Sequence, residues 1–406
     1  MLFAIARPPA DAAAAEPPAT ALGRFVARVI ADHPAIRRAE AELEAARARA
    51  RGQARPLYNP EIELGYEDAL DDTRQVGLSQ TLDWAGKRRA RARVANAEVE
   101  RARAALALTR KAVVGELLRA LAAYETGRRA LDLAQGRVRL NRDFLALAER
   151  RNRAGDLPRA ELLTAQLSLA EARVAESARR ADFSSATERV RAVTALVPPL
   201  QPLLIADPPP PPPSITGIER QALPELRLAA ADVRAARFRI RLAKRNRVPD
   251  PTLGLGVGRQ RTGPAFARES TTLFGVSLRI PLFVRNTFSA EVDAAGATWI
   301  ARERDYNDLE RRIEARLAAS LERYREAFEA WESWGRQGTP PLEEQRRLLQ
   351  RLWRSGEIGA VDYIIQLNQT FATESAGVEL RGRLWTTWFD WLDATARLED
   401  WLETMQ

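Results

Sequence analysis

Side chains able to do chemistry are scarce in this sequence. It has no cysteine, one histidine (His33) and two methionines, Met1 and Met405. Thiolate nucleophiles, disulfides, thiolate metal sites and Cys-linked lipid anchors are ruled out. A histidine cluster or a Met-rich soft-metal site cannot be assembled within one chain. The Ser-His-Asp and Cys-His arrangements of covalent catalysis are close to excluded. We therefore assign no catalytic residue, no cofactor-binding residue and no metal ligand, and expect no cofactor.

What remains is charge placed by strand period. In 61–67, Glu61, Glu63 and Glu67 alternate with Ile62, Leu64 and Tyr66, so the acids share one face and the apolar side chains the other. In 75–84, Val76, Leu78, Leu82 and Trp84 share a face with Gln80, opposite Gln75, Gly77, Ser79, Thr81 and Asp83. In 252–258, Leu253, Leu255 and Val257 alternate with Thr252 and glycines. In 272–282, Phe274, Val276, Leu278 and Ile280 alternate with Gly275, Ser277 and Arg279. Glu61, Glu63, Glu67 and Asp83 on a water-facing surface, opposed by Arg279, would concentrate cations by field focusing. Simple solvation of the same residues is the competing reading.

Two further acids stand six residues beyond a glycine, Glu161 after Gly155 and Asp362 after Gly356. At a helix start such charges complement the macrodipole. Trp385, Trp388, Trp391 and Trp401 have the spacing of a helix-packing face rather than a ligand cage.

These residues sit in a unit used twice. His33-Pro34-Ala35-Ile36-Arg37, an Ala/Arg/Glu-rich helix and Asn59-Pro60-Glu61-Ile62 recur about 190 residues later as Leu223-Pro224-Glu225-Leu226-Arg227, a helix and Asp250-Pro251-Thr252-Leu253. Each half reads helix, strand, strand, long helix, turn, helix. The first repeat, 21–196, has a long helix over 86–151 and a return helix over 158–196. The second, 217–402, has a long helix over 289–353, interrupted near Gly335, Gly338, Pro340 and Pro341, and a return helix over 361–402. Polar loops are expected over 68–73 and 260–270. A proline-free stretch such as 86–151 would run about 100 Å as helix. The join, 197–216, holds six consecutive prolines, Pro208 to Pro213, and reads as a stiff connector rather than core. Residues 1–20 read as disordered or as the remnant of a signal peptide, with an apolar Leu2–Ala6 and small residues at Asp11–Ala15.

The net charge is +9, but basic residues alternate with acids along the helices, and no RNP motif, zinc finger or basic arm is present. No nucleic-acid partner is expected. No run of 18 apolar residues exists, so no transmembrane helix is expected, whereas a β-barrel span stays open. Two hairpins with bare apolar faces cannot stand alone. Either several copies close one barrel in lipid, or the hairpins pack on their own helices in a soluble scaffold. Alternation does not separate the two.

The strings Asn59-Pro60-Glu61-Ile62, Gln80-Thr81-Leu82-Asp83-Trp84-Ala85-Gly86-Lys87-Arg88, Val248-Pro249-Asp250-Pro251 and Pro281-Leu282-Phe283-Val284-Arg285-Asn286, in this order and with both glycine turns, resemble the TolC family of outer-membrane efflux proteins. The Gly86-Lys87-Arg88 and Leu282–Asn286 strings most resemble its CzcC-like heavy-metal branch. The resemblance implies a mainly α fold with a small β part. Three chains would close a twelve-stranded barrel in the outer membrane of a Gram-negative bacterium, continued by an α-helical barrel across the periplasm. Ile62, Leu64, Tyr66, Trp84, Leu255, Val276 and Leu278 would face lipid; Glu61, Glu63, Glu67, Asp83 and Arg279 would line the lumen. Gly155, Glu161, Gly356 and Asp362 would form the periplasmic tip, meeting an adaptor that links to an inner-membrane pump of the resistance-nodulation-division type. Leu157 and Ile358 stand where some members carry a basic latch. The implied function is a passive export duct for heavy-metal cations. Organic solutes or secreted proteins are alternative cargoes.

Overall fold

A computed structural model describes residues 18–68, 72–195, 208–213, 219–262, 269–337 and 339–404. Most of 1–20 and of the 197–216 join lies outside the described residues. In chain order the elements are α1 (Pro18–Asp32), α2 (Pro34–Gln53), β1 (Glu61–Asp68), β2 (Asp72–Thr81), α3 (Lys87–Ala154), α4 (Arg159–Thr194), a 3-10 turn (Arg220–Ala222), α5 (Pro224–Asn246), β3 (Thr252–Thr262), β4 (Glu269–Arg279), α6 (Ser289–Gln337), α7 (Thr339–Ser355), α8 (Ala360–Ala394) and α9 (Leu398–Thr404). No helix among the described residues is long and apolar enough to cross a membrane.

The chain divides into two compact bodies, one of Met1–Ile36, Arg110–Ile218 and Ile313–Gln406, the other of Arg37–Thr109 and Glu219–Arg312. The first is helical. Its core gathers Leu22 and Val26 of α1, Leu117 and Leu118 of α3, Val190 of α4, Tyr324 of α6, and Trp388, Phe389 and Trp391 of α8. All four tryptophans of the C-terminal cluster are buried there, which settles that cluster as packing. The proline run belongs to this body too. Pro209 is buried, and the Tyr324 hydroxyl donates to the Pro210 carbonyl. The expected stiff connector is thus anchored at Pro210, because a polyproline backbone leaves its carbonyls open as acceptors. The lone histidine is structural: His33 Nδ1 accepts from the Ala35 N–H at 3.3 Å, at the start of α2.

The second body carries the sheet, order β1-β2-β3-β4, antiparallel throughout. Strand limits differ from the expected ones. Asp72–Thr81 replaces 75–84, and β3 and β4 extend through polar residues into the expected loop, with Gln260 opposite Thr271 and Thr262 opposite Glu269. Ladder pairing is a backbone property and proceeds through polar positions whenever the partner strand is in register. β4 ends at Arg279, two residues before Pro281, which has no N–H to offer.

The helices also depart from the expected limits. α1 begins at Pro18, inside the expected leader. The second long helix is two: Gly335 is accommodated within α6, while Pro340 and Pro341 occupy the first turn of α7, where no N–H bond is lost. The last helix breaks at Thr395–Arg397, where Ala396 takes a left-handed φ of 55° and the Arg397 N–H closes back on Leu392 O at 2.8 Å. No glycine or proline announced that break.

Candidate functional site

Two adjacent rows of the sheet carry only apolar side chains on one face. Ile62, Leu78, Leu255 and Val276 are linked by register on one side with Leu64, Val76, Val257 and Phe274. These side chains are bare: Ile62, Leu64, Tyr66, Val276 and Leu278 are 62–78% exposed. The hairpins are therefore not tucked against the chain's own helices, and both edges, β1 and β4, lack a partner strand among the described residues.

The opposite face is acidic on β1 and mostly glycine and polar residues beyond it, though Leu273 also lies there, in the row of Gly65, Gln75 and Gly258. Glu61 leads a row through Ser79, Gly254 and Ser277; Glu63 leads one through Gly77, Gly256 and Gly275. Glu67 heads Thr73, Gln260 and Thr271. Arg279 lies opposite Thr252 on the far strand, so the sheet brings it into no contact with the glutamates. At that end the Thr81 and Thr252 hydroxyls bond at 2.8 Å.

Asp83 is not on this face. β2 has ended, and Asp83 accepts from the backbone N–H groups of Lys87 at 2.6 Å and Arg88 at 2.8 Å. Both carboxylate oxygens cap the first turn of α3, which Gly86 enters at a left-handed φ of 68°. The strand ends three residues before the expected limit of 84. Trp84 likewise lies past the strand; it is exposed, with its indole N–H donating to Pro249 O at 2.6 Å.

Sequence reasoning missed the buried polar centre beside this turn. Lys87 Nζ meets Asp250 Oδ2 at 2.9 Å, with side chains 9% and 4% exposed, and the Tyr58 hydroxyl donates to the same oxygen at 2.7 Å. That hydrogen bond, with burial and the Asp250 charge behind it, pushes the Tyr58 hydroxyl above its usual range. The signal available was the pairing of Gly86-Lys87 with Pro249-Asp250, both immediately flanking strands.

In the helical body the two glycine turns are alike. Gly155 and Gly356 have φ of 85° and 83°. The Asp156 and Glu357 N–H groups return to Arg151 O and Leu352 O, at 2.9 and 3.0 Å, closing a Schellman turn on α3 and α7. Arg151 joins the two repeats: its guanidinium donates to Trp353 O at 3.0 Å and lies 4.6 Å from the Trp353 ring centroid. It thus places a cation on the exposed carbonyls of α7, a tie that the search for a basic residue after the glycines overlooked. Glu161 accepts from the Ala360 N–H at 3.3 Å, at the start of α8, whose cap residue Gly359 has no side chain to do so. Asp362 is exposed, in the first turn of its own helix, two residues past Ala360, whose N–H donates to Glu161. Leu157 is buried in the cluster of Phe144, Trp353 and Tyr363, and Ile358 packs against it.

A sheet bare and apolar on one face and mostly polar on the other, in a chain otherwise helical, has the two-sided surface that a lipid-facing barrel wall requires. The chain belongs to the outer membrane efflux protein family: that family's model matches twice, over residues 26–196 and 218–390, once per repeat. Among curated proteins, CyaE of Bordetella pertussis (strain Tohama I) is 28% identical over 274 residues, or 62% of this chain. The chain spans 57% of the length of that relative. Among solved structures, the outer membrane protein VceC of Vibrio cholerae superposes with TM-score 0.74 at 15% identity, over 93% of this chain and 96% of that one. The open state of the Neisseria gonorrhoeae MtrE outer membrane channel gives 0.73 at 16%, over 92% and 88%. The fold is therefore that of outer-membrane channels whose helical barrel continues into a β-barrel.

Proposed function

We propose that three copies of the chain form a passive efflux duct, with no catalytic centre, that spans the outer membrane and extends into the periplasm. The observation that carries this is the exposed apolar sheet face flanked by two unpaired edges. Three sheets joined edge to edge leave no open strand, and lipid covers the apolar side. The polar side then lines water, with Glu61, Glu63 and Glu67 repeated threefold, which favours cations over anions in the lumen. Asp83 takes no part in this, and Arg279 weakens the preference at one end.

The glycine turns are the proposed entrance. Gly155, Glu161, Gly356 and Asp362 lie where a periplasmic adaptor, tied to a resistance-nodulation-division pump, would dock and dilate it. Leu163, Leu167, Val361 and Ile365 on the neighbouring helix turns are exposed apolar side chains that suit such a contact. For the cargo we propose heavy-metal cations, passed on rather than ligated, since the sequence has no cysteine and only two methionines and one histidine. Organic solutes and secreted proteins are the alternatives.

The test is to express the chain behind a working signal peptide, fractionate the cells and record single channels. An outer-membrane trimer with cation preference, reduced when Glu61, Glu63 and Glu67 are neutralised, is expected. A monomer that stays in solution without detergent refutes the reading. Metal sensitivity of a strain lacking the protein tests the cargo separately.

A further inference from the structure

Residues 87–97 of α3 and 233–246 of α5 hold eleven basic and no acidic side chains, more than the net +9 of the whole chain. This breaks the alternation of charge seen along the other helices, and the efflux reading gives it no role. The two segments lie side by side, as the ion pairs Arg101–Asp232 at 2.7 Å and Arg239–Glu98 at 2.8 Å show. Those pairs occupy Asp232 and Glu98, Asp250 is taken by Lys87, and Asp83 is held by the backbone N–H groups that open α3.

Arg89, Arg93, Arg241 and Lys244 have no carboxylate partner among the described residues, and with Arg245 they line an open groove of about 430 Å³. Its remaining wall is apolar: Ala85, Ala90, Phe238 and Val248. Five like charges around one hollow repel each other, and an anion seated among them relieves that repulsion. The groove shares Arg89 and Arg245 with an adjoining cavity whose lining includes Gln80, Leu82 and Trp84, together with Asp83, whose carboxylate is turned to the start of α3. Gln80 lies in register with Leu253, on the bare apolar side of the sheet, and Leu82, Trp84 and Val248 are exposed. The cations thus stand where exposed apolar surface gives way to charge. That juxtaposition matches a phospholipid, with phosphate on the cations and acyl chains along the sheet.

We propose that this groove binds the phosphate of an anionic phospholipid from the membrane around the sheet, about one per chain, and so fixes the depth at which the barrel sits. The inference rests on the sheet being membrane-embedded. The full chain, purified from membranes, is mixed with phosphatidylglycerol or phosphatidylcholine in detergent, and retained lipid is counted by native mass spectrometry. The wild type is expected to retain phosphatidylglycerol selectively. Arg89→Gln/Arg93→Gln/Lys244→Gln should bind it about 10-fold more weakly or worse, given the pull of each lost cation near a membrane surface. Arg142→Gln/Arg173→Gln/Arg189→Gln, which removes the same charge from exposed positions of the helical body, should match the wild type.

Equal retention by the groove variant, equal retention of phosphatidylcholine, or equal loss in the control overturns the proposal. So does full protection from thermal dissociation by inorganic phosphate alone, which would make the groove a simple anion site. If the wild type conducts in bilayers yet shows no lipid preference, the lipid site falls and the channel reading stands. If it never inserts, both fall.

Discussion

The Lys87–Asp250 pair offers the sharpest test of the structural reasoning. Its two charges lie 2.9 Å apart with under a tenth of either side chain exposed. At an effective dielectric of about 20, the attraction is worth about 6 kcal/mol before desolvation is subtracted. Desolvation consumes most of that, so the intact pair adds little net stability, while removing one partner strands a buried charge at a cost of about 3–5 kcal/mol. Lys87→Met leaves the Asp250 carboxylate with only the Tyr58 hydroxyl, and its Oδ1 already lacks a partner. Asp250→Leu leaves a buried ammonium. The double variant Lys87→Met/Asp250→Leu removes both charges and should recover most of the loss. Hydrogen exchange over peptides covering 81–90 and 248–253 reads the local opening free energy, and urea titration in detergent reads the whole. Single variants costing less than about 1 kcal/mol, or a double variant costing the sum of the two, would refute the buried-pair argument.

Three other outcomes are expected. Gly155→Ala and Gly356→Ala should each destabilise the helical body by about 1–2 kcal/mol, because both glycines hold left-handed φ, whereas Gly136→Ala inside α3 should stabilise it by up to about 1 kcal/mol; thermal melts distinguish the signs. Burial opposes ionisation of Glu125, but hydrogen bonds from Arg128 and Arg129 outweigh it and hold its carboxyl below the usual range. Its contribution is therefore full above that range and lost as pH falls through the lowered value, so Glu125→Gln should flatten the acid limb of the stability–pH curve. Val276→Arg, on the bare face, should cost about 2–4 kcal/mol of bilayer insertion, while Ser277→Arg on the polar face should insert normally; outer-membrane yield of heat-modifiable protein checks this.

The repeat, the four strands with their two-sided chemistry, the long helices and the glycine turns were all legible in the sequence, because each is a local pattern. Strand alternation fixes which side chains share a face, and a glycine before a new helix marks a left-handed residue. Where local patterns end, the reading failed. Period-two alternation runs straight through Thr81 to Trp84, yet Asp83 turns away because the N–H groups at the start of α3 compete for its carboxylate. The break at Ala396 has no marker residue, since hydrogen bonding to Trp391 and Leu392 creates it. Proximity in space was also hidden. Lys87 and Asp250 are 163 positions apart, Arg151 and Trp353 are 202, and the basic stretches of α3 and α5 form one groove only when the repeats pack together. Composition and spacing thus determined what each segment is, while the tertiary structure decided which charges meet, because Coulomb and hydrogen-bond energies depend on distances that separation along the chain does not encode.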